Sequence, residues 1–512
     1  MTTEDSTAHD RHEEHDPGTG PDGEIDRLTR EAARCREAAD PAGEAGALHD
    51  LGAVLADGER PAEAAAAFAR AAALYGAAGD GAAEAGALES LGAVSADGER
   101  YAESVVAYTR AAELYRAAGD GAGEAEAVFG LGSALAGDGR YEESAVAYAR
   151  SAGLFHAAGD AVGEAEAQQR RGAVLADEER YAESVVAYAR AAELYRVAGD
   201  GPAEADVLMM LGLAQHAEGH AQAAMDHQYR AAVLYREAGE PAGEARALLG
   251  LASVLAGEGR QDEVPGHAFR AAALHHEAGD PSGEADALEM LGAALRRTGR
   301  GAEAAGHLHR AAALHHESGN PAGEAAALSR YGGALEDLGR FGEAAAQHGR
   351  AAALFREAGD PRGEGTALLS GGNALGNAGR LEEAMTMLFP AAEVFRRAEE
   401  RRGEALVFLS LGGLQHRTRR FDDAIASYTR SAGLCHADGD PAGEELALDG
   451  LRSVLADRGM PPAAVARYVG QLAPHLGQGG PRRGGGTPDP LRETMPDPTG
   501  GGFAGRFSRR RG

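Results

Sequence analysis

GAAEAGALESLGAVSADGERYAESVVAYTRAAELYRAAGD, residues 81–120, is one period of a pattern that fills most of this 512-residue chain. Within it Ala85, Leu88, Leu91 and Val94 or Ser95 recur at intervals of three and four, the spacing of one helical face. Asp97-Gly98-Glu99-Arg100 interrupts the pattern, which Ala102, Val105, Tyr108, Ala111 and Leu114-Tyr115 resume. Gly119 suits the left-handed conformation after a helix, and Asp120 suits the cap of the next one. The period therefore encodes two antiparallel helices of about four turns each, joined by short turns. The sequence carries no strand pattern.

Working outward, Leu91-Gly92 returns as Leu51-Gly52, Leu131-Gly132, Leu211-Gly212, Leu291-Gly292 and Leu411-Gly412, always in steps of 40. Gly119-Asp120 returns as Gly79-Asp80, Gly159-Asp160, Gly199-Asp200, Gly279-Asp280, Gly359-Asp360 and Gly439-Asp440, with proline next at Pro281, Pro361 and Pro441. A fixed period of this size means units that bury their apolar faces on their neighbours, an all-α solenoid without a single deep catalytic cavity. The register predicts one array over 24–476. It comprises a lone helix from about Glu24 to Ala38, ten full units over 41–440 and a last helix pair over 441–475. Residues 1–23 and 477–512 hold too little apolar content to repay ordering and read as disordered tails.

Small residues recur where helices must approach closely: Gly52, Ala64 and Ala71 with the aromatic Phe68 between them, then Gly92, Ser104, Tyr108 and Ala111, then Gly132, Ser144, Tyr148 and Ser151, and later Gly412, Ala424, Tyr428 and Ser431. This quartet resembles the tetratricopeptide repeat over residues 41 to about 475. The unit is six residues longer than the common form, as in the repeats of Pins-type adaptors, of kinesin light chain and of bacterial signal-transducing regulators. The resemblance implies a right-handed superhelix of antiparallel helix pairs that binds proteins, and it names no partner. The lysine-and-asparagine clamp that some members use for chaperone tails is absent, because the chain has no lysine.

Composition excludes further chemistry. Without lysine there is no phosphate loop of the Gly-x-x-x-x-Gly-Lys type and no Schiff base. Glycine-rich pieces such as Gly371-Gly372-Asn373 follow no strand, so dinucleotide binding has no support. His12-Glu13-Glu14-His15 lacks the spacing of a zinc-protease helix. His275 and His315 share a column with Tyr75, Tyr115, Tyr195 and Phe355, which marks aromatic packing, while His276 and His316 share one with Arg116, Arg196 and Arg356, a solvated position. No metal, cofactor or catalytic residue is assigned, and the expectation is a protein that is not an enzyme. The acidic N-terminus is no secretory signal and no apolar run reaches membrane length, which predicts a cytoplasmic protein. Cys35 and Cys435 read as reduced, buried thiols.

The recurring Glu44, Glu84, Glu124 and their equivalents to Glu444 stand in the first turn of each first helix, where a carboxylate favours the positive helix end. Arg70, Arg110, Arg150 and their equivalents form a matching column on the second helix, and both columns read as scaffold.

The resemblance places ligand contacts on the first helices, within a turn or so of the Leu-Gly pair. Those positions vary from unit to unit: Asp57, Glu89, Asp97, Glu126, Phe129, Glu166, Asp177, Asp206 and Met209, then Glu289, Arg296, Arg297, Glu336, Asp337, Asn373, Asn377, His416 and Arg417. The first group is predominantly acidic and the whole chain carries a formal charge of −30. Nucleic acid is thereby disfavoured, and the expected partner is a basic peptide or protein segment held in an acidic concave groove. The chain's own Arg506, Arg509, Arg510 and Arg511 form one candidate occupant. The alternative is a regulatory sensor whose array binds a small peptide and controls a response regulator or transcription factor. Pro390, inside a second helix, is expected to kink it and soften the array there, with Pro265-Gly266 mattering less.

Overall fold

A computed structural model of the chain describes residues 21–472. Among these, every regular element is an α-helix, and the helices fall into two compact units divided between Gly279 and Asp280. The N-terminal unit contains α1 (Pro21–Glu37), α2 (Pro41–Asp57), α3 (Pro61–Ala78), α4 (Gly81–Asp97), α5 (Tyr101–Ala118), α6 (Gly121–Gly137), α7 (Tyr141–Ala158), α8 (Ala161–Asp177), α9 (Tyr181–Ala198), α10 (Gly201–Ala217), α11 (Ala221–Ala238), α12 (Pro241–Gly257) and α13 (Val264–Ala278). The C-terminal unit contains α14 (Pro281–Arg297), α15 (Gly301–Glu317), α16 (Pro321–Asp337), α17 (Phe341–Glu357), α18 (Pro361–Asn377), α19 (Leu381–Arg397), α20 (Arg401–Arg417), α21 (Phe421–Asp438), α22 (Pro441–Asp457) and α23 (Pro462–Leu472). Within each unit successive helices pack as antiparallel pairs, and the first helices of adjoining repeats also touch. The sequence tails, including Arg506, Arg509, Arg510 and Arg511, and the His12–His15 stretch lie outside the described residues.

The punctuation works as local chemistry requires. Asp120 Oδ1 accepts from the Gly123 amide at 2.9 Å, satisfying one orphan donor of α6, and Asp40, Asp80, Asp160 and Asp200 do the same for their helices. Gly119 takes φ +76°, a backbone that a side chain disfavours. At the turn inside each pair the equivalent left-handed position is glycine in some repeats but glutamate in others: Glu59, Glu99 and Glu179 are held at φ +55°, +56° and +58°.

Close approach explains the Leu-Gly column. A Cβ on Gly92 would stand 2.8 Å from the Tyr108 ring, and one on Gly52 would stand 2.7 Å from Phe68, so the second helix's aromatic lies directly on the first helix's backbone. In the repeat built by α12 and α13 both partners change together: Ala252 replaces the glycine and Ala268 the aromatic, and both are fully buried. Serines in alanine columns are also satisfied. Ser104 and Ser144 donate to the Gly92 and Gly132 carbonyls at 2.7 Å, and Ser151 to that of Ala125 at 2.9 Å. Ser95, where other repeats carry Leu55, Leu135 or Leu175, is the exception: its buried hydroxyl has no partner among the described residues.

The two prolines fall on α13 and α19. Pro265 sets the start of α13 at Val264, one turn later than in the equivalent helices, and Gln261 Nε2 closes the gap by donating to the Ala256 carbonyl at 2.8 Å. Pro390 leaves α19 continuous from Leu381 to Arg397. Cys35 and Cys435 are free; Cys435 is buried as expected, whereas Cys35 is only half-buried. No helix of the described residues is long and apolar enough to cross a membrane.

Candidate functional site

In most repeats the recurring glutamate is buried by its packing, and in several of them two basic side chains bracket it. Glu164, 8% exposed, accepts from Arg190 Nε at 2.8 Å on its own repeat's second helix and lies 2.9 Å from His156 Nδ1 on the preceding one. Burial raises its pKa, but the Arg190 and His156 contacts outweigh this and the carboxyl is held below its ordinary value. The same bracket holds Glu44 between Arg36 and Arg70, Glu124 between Arg116 and Arg150, Glu244 between Arg236 and Arg270, and Glu324 between His316 and Arg350. The glutamates stand in the first turn of each first helix as expected, and ion pairs add to the helix-end interaction there. At Glu364 the bracket has one arm, Arg356 at 2.7 Å, because Pro390 occupies the other arginine position.

The varying positions share one face of the first helices, and in the N-terminal unit that face is acidic. Asp57, Asp97 and Asp177 end α2, α4 and α8 and are exposed. A carboxylate at a helix C-terminus opposes the macrodipole at a cost of about 0.3–1 kcal/mol, so their placement is not a stability device. Glu126 and Glu166 are exposed on α6 and α8, and none of these five carboxylates has an ion-pair partner among the described residues. Glu126 has its pKa raised, first by partial burial and then by the charges of Glu89, Glu166 and Asp160.

Other members of the set are spoken for. Glu89 is half-buried and accepts from the Tyr115 hydroxyl at 3.0 Å; burial raises its pKa and also lifts that of Tyr115 to about 12, with the Glu89 charge adding to the latter. Asp206 accepts from the Tyr235 hydroxyl and lies 3.8 Å from Arg246. Phe129 packs edge-on against Tyr148 with centroids 5.3 Å apart, and Met209 is buried. Met209 therefore belongs to the packing, contrary to its reading as a ligand contact, while Phe129 is only partly buried. Met210 and Leu213 on α10 are exposed instead, and for Leu213 a signal was available in the sequence, since its column elsewhere holds small or polar residues such as Ala93, Ser133, Gly333 and Asn373.

In the C-terminal unit the same columns are largely paired within the chain. Arg296 Nε lies 2.7 Å from Asp337 Oδ2, and His416 Nε2 lies 2.9 Å from Asp457 Oδ2, each joining the first helices of adjoining repeats. Glu336 meets His348 Nε2 at 3.0 Å. Glu289 meets His315 Nε2 at 3.2 Å and also pairs with Arg330. Arg417 donates to the Gly376 carbonyl at 3.0 Å, while Asn373 and Asn377 are exposed and Arg297 lines a depression with Arg296 and Arg330. The contrast with the N-terminal unit is direct. The residue 41 positions before Asp337 is Arg296, whereas before Asp97 it is Ala56 and before Asp177 it is Ala136.

The histidines follow their columns: His275, His315 and His348 are buried. Among the described residues no three His, Cys, Asp or Glu side chains converge as a metal site would require.

No family model matches the chain, and no curated protein matches it in sequence. It is similar in structure to BtubC from P. vanneervenii, at 14% identity over 51% of this chain and 93% of that one, with a TM-score of 0.35. It is similar to aspartyl phosphate phosphatase F from Bacillus subtilis, at 16% identity over 56% and 72%, with a TM-score of 0.38. A signal transduction ATPase with numerous domains and a tetratricopeptide repeat sensor, from Pyrococcus horikoshii, matches at 13% identity over 73% and 54%, with a TM-score of 0.43. The repeat type rests on this chain's own columns, where each Leu-Gly backbone receives the second helix's large side chain. In helix order, spacing and packing, the chain is an all-α array of tetratricopeptide-like repeats.

Proposed function

We propose that the chain is a non-enzymatic interaction scaffold that holds a positively charged polypeptide segment on the first-helix face of its N-terminal unit. The observation that carries this is the set of exposed carboxylates Asp97, Glu126, Glu166 and Asp177, two of which end helices against the dipole and face alanine where the C-terminal unit supplies a counter-ion. An arginine side chain arriving there offers a planar fork of donors to these carboxylates. It would also offset the negative charges of Glu89, Glu166 and Asp160 that bear on Glu126. Exposed Met210 and Leu213 offer adaptable apolar contact beside them on α10 of the same unit.

The test is affinity capture from native extract with the full chain, beside a variant carrying Asp97→Asn, Glu126→Gln, Glu166→Gln and Asp177→Asn, none of which has a structural partner. A captured protein lost by the variant, whose binding segment is rich in Arg or Lys, supports the reading. Capture retained by the variant, or of a protein bound through an acidic or neutral segment, contradicts it.

A further inference from the structure

Nine of the ten full repeats share one pair. From Arg70 with Glu44 to Arg430 with Glu404, an arginine on the second helix reaches the glutamate 26 positions before it, within 3.9 Å in every case. In the α18–α19 repeat Pro390 stands at that arginine position and offers Glu364 no donor.

The vacated place is open. Glu364 is 8% exposed, and Arg356 Nε donates to its Oε1 at 2.7 Å, whereas its Oε2 accepts no hydrogen bond among the described residues. A depression of about 460 Å³ opens onto this carboxylate between the end of α17, the start of α18 and the last turns of α19, with Arg356, Asp360, Pro361 and Arg397 in its lining. Arg397 does not take the vacant arm: its side chain is 72% exposed and lies 3.9 Å from Glu393.

We infer that this depression takes the guanidinium group of an arginine side chain from another polypeptide, seated on Glu364 where the chain's own arginine sits in the other nine repeats. A guanidinium presents the planar fork of donors that a carboxylate accepts. Arg356 does not exclude it, because one glutamate of this array accepts two such groups: Glu44 lies between Arg36 and Arg70, Glu124 between Arg116 and Arg150, and Glu244 between Arg236 and Arg270. Asp360 adds a second carboxylate to the lining, and the chain's formal charge of −30 favours the approach of a cation. The site belongs to the C-terminal unit, is separate from the acidic face of the N-terminal unit and does not depend on what that face binds.

The experiment is a fluorescence-anisotropy titration of the full chain with a labelled Gly-Ser peptide bearing one arginine, beside the same peptide with citrulline, which keeps the shape and drops the charge. Wild type is expected to bind the arginine peptide at least about tenfold more tightly than the citrulline peptide. Pro390→Arg, which supplies the missing guanidinium from within, should abolish that preference. Pro390→Ala restores the helix amide without adding a cation and should keep it, which separates the open arm from any effect of the proline on the backbone. Glu364→Gln should lose the preference, and Asp97→Asn/Glu126→Gln/Glu166→Gln/Asp177→Asn should retain it. Circular dichroism confirms that each variant is folded, and should Glu364→Gln fail to fold, the two Pro390 variants decide. Equal binding of the two peptides by wild type, a preference that survives in Pro390→Arg, one lost in Pro390→Ala or in the four-carboxylate variant, or binding of free arginine without the peptide would overturn the assignment.

Discussion

Arg190→Ala should destabilise the α8–α9 repeat by an amount the ion-pair geometry sets. The substitution removes the 2.8 Å contact to Glu164, whose carboxylate is 8% exposed, and leaves only His156 at 2.9 Å. Stripping one partner from a fully buried pair costs about 3–5 kcal/mol. Arg190 is 37% exposed, however, so solvent screens part of its contribution and the expected loss is about 1–2 kcal/mol. The sign with pH follows from Glu164. Its folded pKa is depressed, so the stabilisation is present above its unfolded pKa, about 4.3, and disappears as pH falls through the folded value. The difference between wild type and Arg190→Ala should therefore be largest near neutrality and shrink in acid.

Stability in a repeat array is a sum over repeats and their interfaces, which makes a local readout preferable to a global melt. Amide hydrogen exchange across residues 161–198 should quicken roughly tenfold at neutral pH, with far smaller changes in α2 and α3. In the background of Glu164→Gln the same Arg190→Ala change should cost much less. Unchanged exchange, or an equal loss with and without Glu164, would refute the claim that the bracket holds this carboxylate.

Gly92→Ala should force Tyr108 from its seat and cost about 1–3 kcal/mol in a thermal melt, while the equivalent position of the α12–α13 repeat, already Ala252 opposite Ala268, shows the same fold tolerating alanine once the ring is gone. Glu99→Gly relieves a left-handed residue at φ +56°, and the strain removed, about 1–2 kcal/mol, should exceed the entropy glycine adds to the unfolded chain; a lowered melting temperature would contradict this. Ser95→Ala removes a buried unpaired hydroxyl and should raise stability by about 1 kcal/mol, read by the same melt. Pro390 removes the amide that would bond the Thr386 carbonyl and leaves Glu364 with one cation, so exchange over 381–400 should be faster than in α5, α7 and α9 despite the unbroken helix.

Helix positions and caps were legible because they depend on local chemistry repeated every 40 residues: aspartate before each first helix, glycine after most second helices and an apolar face between. The Leu-Gly column was legible as close packing because glycine and ring stand at a fixed spacing. What escaped the sequence was pairing at long separation. Glu164 and Arg190 lie 26 positions apart, Arg296 and Asp337 lie 41 apart, and only the packed helices reveal them as partners. For the same reason a column scan could not separate the open Glu126 and Glu166 from Glu89, which a tyrosine holds, or tell that Met209 turns inward while Met210 turns outward. The α13 start also departs from the column register, since one proline overrides the periodic signal.

The most direct test of the central claim is an anisotropy titration of the full chain with labelled oligoarginine, set against the variant Asp97→Asn/Glu126→Gln/Glu166→Gln/Asp177→Asn. The account predicts binding to wild type that weakens steeply as salt rises, because exposed charges are screened over about 8–10 Å in ordinary salt, and an affinity at least about tenfold lower in the variant. Equal affinity of the two proteins, or no binding to wild type even at low salt, would contradict it.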